Sequence, residues 1–411
     1  MIMDNSMEQF VVLLSTAIRG QRLETYCYTD NIDYSKIFRF AAYHKVDSLI
    51  YSILKTNDIL DNELLSAWKR NAIVSNLYQK RGAERCREIL IKFNENGIPT
   101  ILLKGAVLRN LYPQPELRWM SDIDILVNKE NISKARRILE DMGYFCKDDH
   151  DPKEIHYYHK NEISVELHWR VTVPGYIEND DLFEDSVWNN AVPISFQGVP
   201  ALSLSTDDIL LHMCIHMAFH IRNGGFGLRM LCDLVLFIEK VGQYVNWSVF
   251  KERIKLYNIE KFTYAVLTIC SKLFGLRIPE LLVVNIDEND IYIDDLIDDI
   301  IETGHFANKS PERKNIRMLA RISRDEDIYI TNKFRLFIRI AFPSRNGLAK
   351  NYPYLHDYPL LYPVAWIQRF YKNVIRKLDL QRIFMRFKFS KDTFNKYKKR
   401  VNLLKWLGFR H

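Results

Sequence analysis

Residues 121–127 read Ser-Asp-Ile-Asp-Ile-Leu-Val, and this short segment constrains the fold more than any other part of the chain. Its apolar, β-branched run predicts a buried strand in a sequence whose longer stretches carry helical spacing. On a strand, residues two apart share a face, so Asp122 and Asp124 project side by side. Two adjacent anions repel unless a cation lies between them. Paired carboxylates suit Mg²⁺, which takes one or two protein carboxylates together with phosphate oxygens. A metal-dependent phosphate site is the first expectation.

The flanking sequence places this strand in a small α/β unit. Periodicity predicts helices over residues 1–95, the last from Ala83 to Phe93 with Gly97 as its left-handed cap. Thr100 to Leu103 is then a short apolar strand, broken at Lys104-Gly105, with one or two helical turns over Ala106 to Leu111. Tyr112-Pro-Gln-Pro115 is a loop, because two prolines so close cannot sit inside a helix. Asn128 to Met142 reads as an amphipathic helix, and Tyr157 to Lys160 with Ile163 to His168 as a hairpin about Asn161. A glycine at a strand-to-helix turn lets backbone N–H groups approach a phosphate. A third acid, Glu166, lies on the second arm of the hairpin. By our reading of the alternation His168 points to the opposite face, as a structural residue.

At this point the sequence resembles the nucleotidyltransferases of the DNA polymerase β-like superfamily, and more narrowly a bacterial family of largely uncharacterised nucleotidyltransferases. The likeness is carried by Leu102-Leu-Lys-Gly-Ala-Val-Leu108, Tyr112-Pro113, Arg118, Ser121 to Val127 and Val165-Glu-Leu-His-Trp169. It extends to Leu210-Leu-His-Met-Cys-Ile-His216, Leu228-Arg-Met-Leu-Cys-Asp233, Phe342-Pro-Ser344 and Tyr358 to Arg369. The resemblance implies transfer of a nucleoside monophosphate, with ATP the expected donor, to an acceptor on a small molecule, peptide or protein. Asp122, Asp124 and Glu166 would be catalytic and hold two Mg²⁺ ions, with Mn²⁺ an alternative. Lys104, Gly105, Ala106, Arg118 and Ser121 would contact the nucleotide. The superfamily turn usually carries two small residues, Gly-Gly or Gly-Ser; Lys104-Gly105-Ala106 departs from it and lacks the serine. That departure motivates an alternative, a nucleotidyltransferase-fold module that binds nucleotide, peptide or RNA without strong catalysis. Family members near biosynthetic genes tilt the acceptor toward natural products.

The expected class is therefore α+β: an N-terminal helical segment (1–95), a small mixed β-sheet nucleotidyltransferase core (96–204), a helical domain (205–342), and a Pro/Tyr-rich connector with a basic helical C-terminus (343–411). A chain of 411 residues exceeds one ordinary core, in keeping with several domains. No apolar run is long enough to span a bilayer, the N-terminus lacks a basic leader, and six scattered cysteines show no CxxC. A cytoplasmic protein with reduced thiols is expected. The net charge of +7 is unevenly spread. From Arg376 to His411 twelve Lys or Arg face Asp379 and Asp392 alone, while Ile286 to Glu302 holds eight acids and no base. The basic tail is a candidate contact for an anionic partner. His212, His216 and His220 fall on one helix face, as a metal stripe or, as we favour, a polar seam between packed helices. Arg229 and Asp233, four apart, are expected to pair.

Overall fold

A computed structural model describes residues 5–22, 32–55, 62–147, 151–283, 290–304, 354–371 and 391–409, with single positions at 316, 348 and 352. Cys27, Phe342-Pro-Ser344, residues 343–347 of the connector and residues 372–390 of the basic tail lie outside them. Four helices come first: α1 (Asn5–Ile18), α2 (Tyr34–His44), α3 (Asp47–Leu54) and the long α4 (Asn62–Glu95). The α/β segment follows as β1 (Ile101–Leu102), α5 (Gly105–Leu108), β2 (Asp122–Leu126), α6 (Ile132–Asp141), β3 (Phe145–Cys146), β4 (Glu154–Tyr158), β5 (Ser164–His168), α7 (Asp180–Asn190), β6 (Val192–Phe196) and β7 (Val199–Ser203). Then come α8 (Thr206–Asn223), α9 (Leu228–Val241), α10 (Trp247–Leu256), α11 (Glu260–Phe274), α12 (Ile291–Thr303), α13 (Tyr354–Asp357), α14 (Tyr362–Phe370) and α15 (Lys391–Trp406). The class is α+β, as expected.

The chain forms two units, one of Met1–His220 with Phe226–His305 and the other of Ile221–Gly225 with Phe306–His411. In the second, the basic helix α15 is more than a solvated tail. It buries Tyr397, Val401 and Leu403, and Arg400 reaches the carbonyl of Ile221. No helix among the described residues is long and apolar enough to cross a membrane, and Cys86, Cys214, Cys232 and Cys270 are buried free thiols.

In the first unit the seven strands form one mixed sheet in the order β3-β4-β5-β2-β1-β7-β6. β2 runs antiparallel to β1 and parallel to β5. Alternation divides β2, β4 and β5 cleanly. Ile123, Ile125, Ile155, Tyr157, Val165 and Leu167 join Ile89, Leu90 and Phe93 of α4 and Ala135 and Leu139 of α6 in one buried cluster. Burying each large side chain contributes about 1.5–3 kcal/mol, so this face fixes the register of the other. The residues between them, acids and histidines, must then share the opposite face. The chain leaves α4 through the predicted cap: Gly97 has φ +65° and Ile98 N–H donates to Phe93 O at 2.9 Å.

Two features of the sheet depart from the sequence expectation. The hairpin arm begins at Glu154 rather than Tyr157, which adds Glu154 and His156 to the polar face. β3, β6 and β7 were not foreseen, although Gln197 (φ +47°) and Gly198 (φ +80°) make the two-residue positive-φ turn that suits a tight hairpin between β6 and β7.

Candidate active site

The register of β2 against β5 sets Asp124 opposite Glu166 and Asp122 opposite Ser164. Both aspartates and Glu166 share the polar face, as the alternation requires. The approach to β2 is held by Gln79 of α4, a buried side chain that donates to Met120 O at 3.0 Å and accepts from Met120 N–H at 2.8 Å. This amide acts as a missing strand partner for the residue two before Asp122. Ser121 Oγ donates to Asp122 Oδ1 at 3.0 Å.

The remainder of this face is denser than the sequence suggested. His168 lies on it, not on the opposite one: positions 166 and 168 are two apart and must share a face. Its Nε2 lies 3.2 Å from Asp124 Oδ1 and its Nδ1 2.9 Å from Glu154 Oε2. β4 brings His156 beside Glu166, with Nδ1 at 3.2 Å from Oε1 and Nε2 at 3.4 Å from Glu154 Oε1. Lys153 pairs with Glu154 from the flank. Acids and imidazoles thus alternate along a series that runs from Asp124 through His168, Glu154 and His156 to Glu166. The missed members were readable from Glu154-Ile-His-Tyr-Tyr158, where polar residues occupy alternate positions and Ile155 and Tyr157 the others.

These neighbours set the titration of Asp122, His168, His156 and Glu166. Burial and the repulsion of Glu166 and Asp124 push Asp122 up to about 7, despite Lys104. Burial alone would lower His168, but Glu154, Asp124 and Glu166 outweigh it and lift it to about 9. Hydrogen bonds to Glu154 and Glu166 raise His156 to about 11. Burial opposes ionisation of Glu166, yet His156, His168 and Lys104 hold it well below the ordinary carboxylate range.

Lys104 stands before α5 with φ +43° and ψ −111°, a strained backbone for a non-glycine residue that costs on the order of 1–3 kcal/mol. Its ammonium lies 2.6 Å from Asp124 Oδ1 and 3.8 Å from Glu166 Oε2. A cationic group thus rests between two of the three acids. Asp124, Glu166 and His168 present ligand atoms close enough to hold a metal ion, as do Glu154, His156 and Glu166. The donor set is oxygen-rich and suits Mg²⁺ or Mn²⁺.

Arg118 is placed differently from the acids. Its buried guanidinium forks onto Asp233 of α9, Nε to Oδ1 at 3.0 Å and Nη2 to Oδ2 at 2.7 Å, and Tyr112 Oη donates to Asp233 Oδ1 at 2.7 Å. Arg229 approaches the same carboxylate with Nη1 at 3.6 Å, the pairing expected four residues apart, while its Nε has no partner. Arg229 also lies within electrostatic range of Asp122. Gly105 faces this clamp: a Cβ there would collide with Arg118 Nη1 and come within 2.8 Å of Met120 Cγ. A second reason for a glycine at the turn is therefore packing.

The three histidines of α8 lie within electrostatic range of Lys104. His216 and His220 share one hydrogen bond between their Nε2 atoms at 3.0 Å. Burial and the nearby cations Lys104 and Lys153 hold His220 at about 4. On the other side Tyr78 stacks on Trp119, 5.2 Å between centroids, and feels the Asp122 charge.

The sequence of residues 30–275, more than half of the chain, matches the family described as uncharacterised nucleotidyltransferases. The chain belongs to that family. It is a nucleotidyltransferase, and the carboxylate face lies within the matched residues. No curated protein matches it. This nucleotidyltransferase has remote likenesses among solved structures. A lincomycin-bound lincosamide antibiotic adenylyltransferase, LnuA, is 17% identical, covering 38% of this chain and 94% of its own, with a TM-score of 0.29. The antibiotic-resistance factor ANT(2'')-Ia is 14% identical, covering 46% and 96%, with a TM-score of 0.33. At these scores the likeness carries nothing about substrate.

Proposed function

We propose that the carboxylate face binds a nucleoside triphosphate, ATP being the donor to test first, and passes its nucleotidyl group to a hydroxyl or similar acceptor on a small molecule, peptide or protein while pyrophosphate leaves. One observation carries this reading: Asp124 and Glu166 oppose each other on paired strands, Asp122 shares their face, and a cationic group rests between them. When bound, Mg²⁺ held by Asp122, Asp124 and Glu166 would neutralise charge on the phosphates and orient them for in-line attack.

The protein's own groups supply the rest. Glu166, kept ionised by His156 and His168, accepts a hydrogen bond from the incoming hydroxyl and orients it for attack. His168 fixes Asp124 from behind while Glu154 fixes His168, so the metal-facing carboxylate is held before substrate arrives. The turn at Gly105 and Ala106, with Ser121 beside it, brings backbone close to the phosphates. Arg118 is committed to Asp233 and shapes that turn from below. Arg229, within electrostatic range of Asp122, is the guanidinium we assign to a phosphate oxygen.

Calorimetric titration of the full chain with ATP and Mg²⁺ tests the site. Asp122→Asn and Asp124→Asn should each weaken Mg²⁺-dependent ATP binding at least about tenfold, ~1.4 kcal/mol. Unchanged affinity in Asp124→Asn would remove the carboxylate face from the account.

A further inference from the structure

Lys104 occupies the place in the turn where a glycine would sit without strain, since φ +43° with ψ −111° is a conformation that side chains other than hydrogen disfavour. The chain nevertheless carries a lysine there and puts the glycine one position later. The strained backbone aims the ammonium at the acids, and its side chain is only 16% exposed, against 5% for Asp124 and 16% for Glu166. Both carboxylates touch the same nitrogen, and they face one another across a fixed strand pairing. A permanent positive charge is therefore built into the gap that a metal ion would otherwise bridge. Lys104 and His168 also converge on one oxygen of Asp124, Oδ1. Neither of them meets Oδ2 of the same carboxylate.

We propose that Lys104 is the resident cation of this site and replaces one of two divalent ions, so that the enzyme needs only the ion delivered with the nucleotide. The proposal rests on the nucleotidyl-transfer reading above and changes its ion count from two to one. Lysine suits the role because its charge is compact and its stem can carry it into a gap between two acids.

The count can be read without turnover. The full chain is saturated with an equimolar complex of Mn²⁺ and an ATP analogue whose α–β bridge is a methylene group. Further Mn²⁺ is then added while the electron paramagnetic resonance signal of free Mn²⁺ is followed. The wild type should release signal from the first addition, having no second ion to take. Lys104→Met, which keeps the stem and removes the charge, should absorb about one further equivalent before the signal rises. A second equivalent taken up by the wild type would overturn the proposal, whatever the variant does. Failure of the wild type to hold the first Mn²⁺–nucleotide complex would instead sink the nucleotide site itself, and the two failures are separate readings of one titration.

Discussion

Replacing Asp233 by asparagine keeps the shape of the buried clamp and removes its charge. In the native chain that carboxylate receives both arms of Arg118, the hydroxyl of Tyr112 and the more distant Arg229. Burial disfavours its charge, but the two guanidiniums and Tyr112 hold it below the usual carboxylate range. The stabilisation is therefore fully present at neutral pH and is lost only as the pH falls through that lowered value. Asp233→Asn leaves two buried guanidiniums without a counter-ion, a change that costs about 3–5 kcal/mol. The unit concerned has about 300 residues. With an unfolding entropy of about 2.1 cal/mol/K per residue, the loss corresponds to a drop in Tm of about 5–8 °C. Because Arg118 Nη1 lies against Gly105, the variant should also raise KM for ATP more than it lowers kcat. Thermal melts followed by circular dichroism, with steady-state kinetics below the melt, check both parts. A Tm within about 1 °C of wild type with unchanged KM would refute the view that this clamp supports the nucleotide turn.

Other outcomes follow from the same geometry. Gly105→Ala puts a methyl into Arg118 and Met120 and should cost about 1–3 kcal/mol, seen as a lower Tm and a raised KM for ATP. Arg229→Gln, which keeps a donor but no charge, should raise KM for ATP by about tenfold with less effect on kcat, while Arg229→Lys recovers part of it. His44 accepts Leu228 N–H at Nδ1 and donates to Ile301 O from Nε2, so it must be singly protonated; burial lowers it to about 4. Its contribution is present above pH 6.5 and is lost as the pH falls toward 4, up to about 3 kcal/mol. Melts at pH 7.5 and pH 5 should show a smaller acid-induced drop for His44→Gln than for wild type, and equal drops would contradict this.

Much of the site could be read in the sequence because alternation is strict. Asp122, Asp124 and Glu166 fall where the period of two puts them, and the amphipathic helix expected over Asn128 to Met142 stands as α6. His168 was assigned to the wrong face, though the same period assigns it correctly. Glu154 and His156 were missed because their strand starts three residues earlier than its most apolar part. Other features could not be read locally. Asp233 lies 115 residues from Arg118, and only tertiary packing selects that carboxylate for it. The rotation of Lys104 toward Asp124 depends on a strained φ that no propensity encodes.

The most direct measurement incubates the full chain with Mg²⁺ and ATP labelled at the α-phosphate, offers fractions of a cell extract as acceptors, and follows where the label goes. The expected result is label on an acceptor with matching release of pyrophosphate, abolished in Asp124→Asn while that variant still melts cooperatively. Label transferred equally well by Asp124→Asn, or pyrophosphate released by wild type with no label leaving the nucleotide pool in any fraction, would contradict nucleotidyl transfer at this face.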